Sequence, residues 1–192
     1  MDYLLNFYSD KGLYQSRAEV IDNIRDNNII ITRVRLTSDL EKIQRRQFYR
    51  LELIHDIEYR IITVEEETLN KKLSSKDTSP EEIEEYKNRL SELDRQWEKV
   101  SINDLSGGGT RFNTNKIYNS GDKILIRMDF VAGGTYKRLD INGVILSSTK
   151  LFNNPGVIEY RIEFKGFDKR DREELIKYIF EEERRRRNNE KF

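Results

Sequence analysis

Asp104-Leu105-Ser106-Gly107-Gly108-Gly109-Thr110-Arg111-Phe112 joins two strand-like runs through a glycine-rich turn. From residue 101 to residue 165 short apolar runs alternate with turn signals. The turns are Ser106-Gly107-Gly108-Gly109, Asn119-Ser120-Gly121-Asp122, Gly133-Gly134, Asn142-Gly143 and Asn153-Asn154-Pro155-Gly156. Strand-like runs lie between them, at 110–112, 123–130, 136–140, 144–151 and 157–164. Closely spaced strands joined by Gly and Asn turns predict a mainly β fold built on a small antiparallel barrel.

Upstream, residues 51–64 carry Leu, Ile, Tyr and Val with weak alternation, a further strand. Residues 65–100 change character and read as a helical insertion. Ser79-Pro80-Glu81-Glu82 supplies an N-cap, a proline at the first helical position and a capping-box glutamate. Ile83, Tyr86, Leu90, Leu93, Trp97 and Val100 then follow a heptad seam. The seam predicts one helix over 79–100 that either pairs with a second copy as a homodimer or docks on the barrel. Residues 65–73 form a second short helix, giving a helical hairpin.

The N-terminal 36 residues read as strands, with a hairpin turning at Asp26-Asn27-Asn28 before Ile29-Ile30-Ile31-Thr32-Arg33-Val34-Arg35-Leu36. So few strands cannot bury two faces alone. Residues 39–50 read as a basic, polar linker. At the other end Asp168 is a candidate N-cap for a helix over 168–187. Leu175, Ile176, Tyr178, Ile179 and Phe180 form its apolar face, and Arg184 to Arg187 complement its dipole. The expected domains are an N-terminal β segment 1–37, a barrel 38–187 carrying the insertion, and a tail 188–192.

Composition sets outer limits. The chain has 192 residues, with 35 Lys and Arg against 35 Asp and Glu, so the net charge is zero and any anion site is a local cluster. That balance disfavours nucleic acid as a partner. Absence of Cys excludes disulfides, thiolate metal sites and a Cys nucleophile, and the single His55 excludes multi-His metal sites. His55 therefore reads as structural. No apolar run reaches the ~20 residues of a membrane helix, and residues 1–8 lack the pattern of a signal peptide. The expectation is a cytoplasmic protein with no membrane insertion, no catalytic residues and no metal.

Two clusters carry chemistry. The first is Arg45-Arg46-Gln47-Phe48-Tyr49-Arg50. Guanidinium groups grip phosphate bidentately and stack on flat rings. On a straight strand Arg46 and Arg50 would point the same way, ~13 Å apart at ~3.3 Å per residue. The second is Asp104-Leu105-Ser106-Gly107-Gly108-Gly109. Asp104 offers only acceptors, which suits the N1–H and N2–H₂ edge of guanine. Ser106 adds a hydroxyl, and the glycines permit positive φ and close backbone approach. Each cluster alone is a solvated basic stretch or an ordinary turn. Together, each beside a barrel strand, they describe a site for a guanine-bearing phosphate ligand.

In these motifs the sequence resembles the PilZ family, bacterial receptors for cyclic di-GMP. The family's Arg-x-x-x-Arg stands as Arg46-Gln47-Phe48-Tyr49-Arg50, and its Asp/Asn-x-Ser-x-x-Gly as Asp104-Leu105-Ser106-Gly107-Gly108-Gly109. Thr110-Arg111-Phe112, Ser120-Gly121-Asp122 and Ile162-Glu163-Phe164 resemble its later strands. Residues 12–46 look like the end of a flagellar-brake type of N-terminal domain, much shortened. The resemblance implies a non-catalytic receptor with cyclic di-GMP as ligand and no cofactor. Arg46 and Arg50 would hold phosphates and stack on guanine. Asp104 and Ser106 would meet a base edge, with Gly107, Gly108 and Gly109 forming the close turn. Arg45 would accompany an intercalated dimer of the ligand. The 37–50 segment would wrap over the ligand, reorient the N-terminal strands and signal to a protein partner such as the flagellar motor. Two other readings stand beside this one: a non-binding scaffold acting through the insertion, and a barrel for single-stranded nucleic acid. The insertion lengthens the sequence between Arg50 and Asp104, and binding requires that it project away from the barrel mouth.

Overall fold

The computed structural model describes residues 2–9, 12–93 and 95–189. The chain forms two compact units, residues 1–47 and 48–192.

The first unit is a four-stranded antiparallel sheet: β1 (Asp2–Ser9), β2 (Gly12–Asp26), β3 (Ile29–Leu36) and β4 (Glu41–Ile43). The long β2 is central. β1 lies along one edge, while β3 and then β4 occupy successive parts of the other. The hairpin read from the sequence is present, with Asn27 in the left-handed region at φ 53°, where a short polar side chain is tolerated. The expected linker over 39–50 needs correction, because Glu41–Ile43 adds a strand against Leu13–Gln15. The unit boundary accordingly falls after Gln47 rather than at 37.

The second unit is a closed six-stranded barrel. Its elements are β5 (Arg50–Ile61), α1 (Val64–Leu73), α2 (Pro80–Glu92), β6 (Glu98–Ser106), β7 (Gly109–Thr114), β8 (Lys123–Ala132), β9 (Thr135–Leu151), β10 (Asn154–Phe164) and α3 (Lys169–Asn189). The strand order around the barrel is β10-β7-β6-β5-β8-β9, with every pair antiparallel. Period-2 alternation drives the closure. On β8, Ile124, Ile126, Met128, Phe130 and Ala132 are all buried, while the residues between them face outward. α3 adds Leu175, Tyr178 and Ile179 to the same core. Arg170 N donates to Asp168 Oδ1 at 2.8 Å, which makes Asp168 the expected cap.

Two element expectations are corrected. Asn142-Gly143 is not a turn, and β9 runs unbroken through it. A Cβ on Gly143 would come within 2.7 Å of Ile162 Cγ2. The glycine is there because a neighbouring strand approaches closely, a role sequence cannot separate from turning. The helix expected over 79–100 ends at Glu92, and Glu98 to Val100 belong to β6. Trp97 and Val100 therefore leave the seam. The remaining helix pairs with α1, with Arg89 bonded to Glu65 at 3.0 Å and Lys72 over the Tyr86 ring. What remains of the seam lies on α2, which is paired with α1 in a helical hairpin. Asn188 and Asn189 of the expected tail continue α3, and residues 190–192 lie outside the described residues.

Candidate functional site

Strand pairing brings the second motif beside Arg50. Arg50 is the register partner of Ser106, and Leu51 of Leu105. Leu51 and Leu105 are buried in the core. Alternation then turns their neighbours Arg50, Asp104 and Ser106 to the outer face. On the next strand Arg111 is the register partner of Asp104.

Asp104 is the centre of this group. Only 1% of its side chain is exposed. Arg111 Nε donates to Asp104 Oδ2 at 2.5 Å, and Arg50 Nη1 lies 3.6 Å from the same oxygen. Oδ1 is buried and has no hydrogen-bond partner. Arg111 in turn meets Glu159 on β10, with Nη1 3.3 Å from Oε2. Burial works against the charge on Arg111, but Asp104 and Glu159 outweigh it, and its pKa is raised above the ordinary value. Sequence reading missed Arg111 and Glu159. The odd spacing of Asp104 and Arg111 about a Gly turn was the available signal, but register across the bulged β6–β7 pair cannot be read from one chain.

The Ser106–Gly109 turn is tightly braced. Ser106 Oγ donates to the Gly109 carbonyl at 3.0 Å, and Thr110 Oγ1 donates to the Asp104 carbonyl at 2.5 Å. The expectation of positive φ at Gly107, Gly108 or Gly109 is corrected: none of the three lies in that region. Space is the reason for glycine. A Cβ on Gly107 would sit 2.8 Å from the Phe48 ring and 3.1 Å from Ile176, and one on Gly108 would sit 2.9 Å from Phe48. A Cβ on Gly109 would fall on the Ile162 carbonyl oxygen. Phe48 is thus stacked on the turn, with the Arg172 guanidinium over its ring at 5.4 Å. Tyr49 stacks on Phe180 of α3 and bonds to Glu183. Burial first, then Glu183, raise its pKa.

The two arginines of the first motif do not share a strand. Arg46 belongs to the irregular stretch after β4 in the first unit, and Arg50 starts β5 in the second. Arg45 stands over the Tyr8 ring at 5.4 Å, within the first unit. Gln44 Nε2 donates to the Arg46 carbonyl at 2.8 Å. The expected common strand for Arg46 and Arg50 is therefore corrected.

The insertion leaves this group clear. At one end of the β5–β6 ribbon Arg50 faces Ser106, and at the other Tyr59 faces Glu98. α1 and α2 join the strands at the Tyr59 end. They are anchored there by Arg60, whose Nη1 and Nη2 donate to Glu66 at 2.6 and 2.7 Å. Trp97 lies beneath Arg60 and Arg127, at 5.6 and 4.2 Å. His55 is structural in its contacts, with Nε2 2.9 Å from the Asp129 carbonyl and Nδ1 3.0 Å from the Tyr178 hydroxyl. Among the described residues no group of three or more His, Cys, Asp or Glu side chains could hold a metal ion. None of their helices is long and apolar enough to cross a membrane.

The family model described as PilZ domain matches residues 88–181. The chain carries a PilZ domain. The match takes in Asp104 to Arg111 and stops short of Arg45 to Arg50, which lie before the insertion. No curated protein matches the chain in sequence. Solved structures share the PilZ fold at low identity. The Bacillus subtilis inhibitor of motility (MotI/DgrA) is 14% identical over 98% of this chain and 74% of its own, with a TM-score of 0.68. YcgR from Escherichia coli, solved in complex with c-di-GMP, is 12% identical over 100% of this chain and 69% of its own, at 0.53. The K. pneumonia MrkH–c-di-GMP complex is 16% identical over 98% of this chain and 74% of its own, at 0.50. Their extent shows that the N-terminal sheet and the PilZ barrel recur together in one chain.

Proposed function

We propose that this PilZ protein is a non-catalytic, cytoplasmic receptor for cyclic di-GMP. The observation that carries the reading is Asp104. It is a buried carboxylate on the outer barrel face, beside Arg50 and a glycine turn, with one oxygen lacking a donor. Guanine presents two adjacent N–H donors and suits that oxygen. Ser106 meets the base edge with Asp104, Gly107, Gly108 and Gly109 form the close turn beside it, and Arg50 stacks or pairs above the base. Arg45 and Arg46, in the stretch before β5, neutralise the phosphates, as charge-assisted bonds do best when bidentate. An arginine at the Arg45 position favours two intercalated ligand molecules per site. The clear Arg50–Ser106 end of the ribbon supports binding over a scaffold role for the insertion.

The moving part is narrower than 37–50, because β4 ties Glu41–Ile43 into the N-terminal sheet. Residues 44–49 carry the rearrangement, and with it the orientation of the N-terminal strands. The size of that response is limited by the ligand's differential affinity for the two states. The output is contact with a protein partner, with the flagellar motor the first candidate from the likeness to an inhibitor of motility.

Calorimetric titration with cyclic di-GMP, with GTP and GMP as controls, tests the reading. Saturable and selective binding is expected, with two ligands per chain. Arg46→Ala should weaken it at least roughly tenfold, since such bonds contribute ~1.5–3 kcal/mol. Folded protein that fails to bind would overturn the receptor assignment.

A further inference from the structure

Asp104 is held by one oxygen, and the other is buried without a hydrogen-bond partner. Its Oδ2 takes the Arg111 Nε–H at 2.5 Å, and its Oδ1 takes nothing. A carboxylate's two oxygens are equivalent until something distinguishes them. Here the distinction comes from Arg111, which is itself fixed by Glu159 at 3.3 Å on the neighbouring strand. Glu159 also lies 3.9 Å from Arg161 Nε. The result is a ladder of alternating charge across β5, β6, β7 and β10: Arg50, Asp104, Arg111, Glu159, Arg161.

We infer that Arg111, braced by Glu159, is the positioning residue that gives the site its preference for guanine. The inference rests on the cyclic di-GMP reading and deepens it. With Oδ2 occupied by the Arg111 guanidinium, the side chain of Asp104 is held in one orientation and its second oxygen is left for a ligand donor. Oδ1 is then an acceptor with fixed direction. It accepts from guanine's N1–H and N2–H₂ edge, and any base lacking one of those donors leaves the buried oxygen short of a partner. Without Arg111 the carboxylate keeps only Arg50, at 3.6 Å. It is then free to turn toward Arg50, and that turn removes the acceptor edge.

The test compares two probes, cyclic di-GMP and cyclic di-inosine monophosphate, which lacks the 2-amino donor. Their affinities are measured for the full chain and its variants, with a thermal melt of each. The wild type should bind cyclic di-GMP and prefer it over the inosine analogue. Arg111→Met should lose at least roughly tenfold in cyclic di-GMP affinity, the loss of one charge-assisted bond, and its preference should fall toward unity. Arg111→Lys restores the charge without the Nε geometry and should recover only part of the preference. Glu159→Gln keeps the ladder's shape and should lower the preference a few-fold. Arg138→Met removes an equally well-formed pair elsewhere, with Asp129 at 2.7 Å, and should leave both affinities unchanged. A merely structural role would weaken both ligands alike and keep the preference, and that result overturns the inference. So does an Arg111→Met protein that retains affinity and preference. If Arg111→Met fails to fold, Glu159→Gln decides, and an unchanged preference there overturns it. A wild type that does not bind cyclic di-GMP is a different failure. It removes the receptor reading itself, and the inference with it.

Discussion

Gly109 and Gly107 sit two residues apart in the same turn and answer to different constraints. The Cβ of any residue at 109 would meet the backbone carbonyl of Ile162, which is held in the β7–β10 ladder and cannot yield. At 107 it would meet the rings and methyls of Phe48 and Ile176, which can shift. Gly109→Ala should therefore lower the melting temperature by roughly 5 °C or more, as overpacking costs about 1–3 kcal/mol. Gly107→Ala should cost less and should show its effect in the environment of Phe48. Equal melting temperatures for the two variants would contradict this account. His55 supplies a second residue-scale case. It joins β5 to the Asp129 carbonyl of β8 and to the Tyr178 hydroxyl of α3. Burial pushes the Tyr178 hydroxyl up to about 12, so it stays protonated across the physiological range. His55→Ala leaves two partly buried partners unpaired and should destabilise by about 1 kcal/mol in denaturant titration. The chemical identities at these positions were legible beforehand. Asp104, Ser106 and the glycines were singled out from the sequence, and His55 was read as structural. Positive φ was the wrong reason for the glycines, because steric approach from a strand some fifty residues away leaves no local mark.

The helical insertion is held to the barrel by charge. Arg60 holds the Glu66 carboxyl below its ordinary range, with Arg95 assisting. Lys123 and Lys71 lower Glu67 from 4.5 to about 2. A carboxyl with a lowered folded pKa contributes stability above its unfolded value, and that contribution is lost as pH falls toward the folded one. The anchors should thus be intact above about pH 5 and weaken between about pH 4.5 and pH 2. Trp97, the single tryptophan, lies under Arg60 and Arg127 at this junction and reports on it. Its fluorescence should change over that interval, with the midpoint shifted in Glu66→Gln. A signal flat down to pH 2 would show that the ion pairs do not anchor the element. The caps of α2 were read correctly, because a capping box is a local pattern and both of its bonds are present. Its end was not. Trp97 and Val100 kept the heptad step, yet they belong to the approach to β6 and to β6 itself. Cross-strand pairing of Val100 with Ile57 took precedence over a periodicity already short of a coiled coil.

On the scale of the whole molecule, the insertion interrupts a strand pair without interrupting the barrel. β5 and β6 hydrogen-bond directly from Arg50 and Ser106 to Tyr59 and Glu98. Replacing residues 63–96 with a short Gly-rich turn should leave a folded barrel whose affinity for cyclic di-GMP is within a few-fold of the full chain. Loss of binding by a well-folded deletion would mean that the insertion belongs to the site. Residues 48–192 contain the whole barrel core. Expressed alone they should melt cooperatively, yet bind the ligand at least tenfold more weakly, because Arg45 and Arg46 are gone. Composition, turn spacing and β-branched runs by themselves determined a mainly β chain with a small barrel and a capped C-terminal helix. The two motifs by themselves pointed to the PilZ family. These features are local: a turn, a cap or a short motif is specified by residues within a few positions of one another. Tertiary structure alone decided which partner each outward side chain meets. It set Arg111 between Asp104 and Glu159, laid Phe48 on the glycine turn, ran β9 through Gly143 and placed the insertion at the far end of the ribbon. Those outcomes depend on strand register and on approaches between distant segments, and register is set by the packing of the closed barrel as a whole.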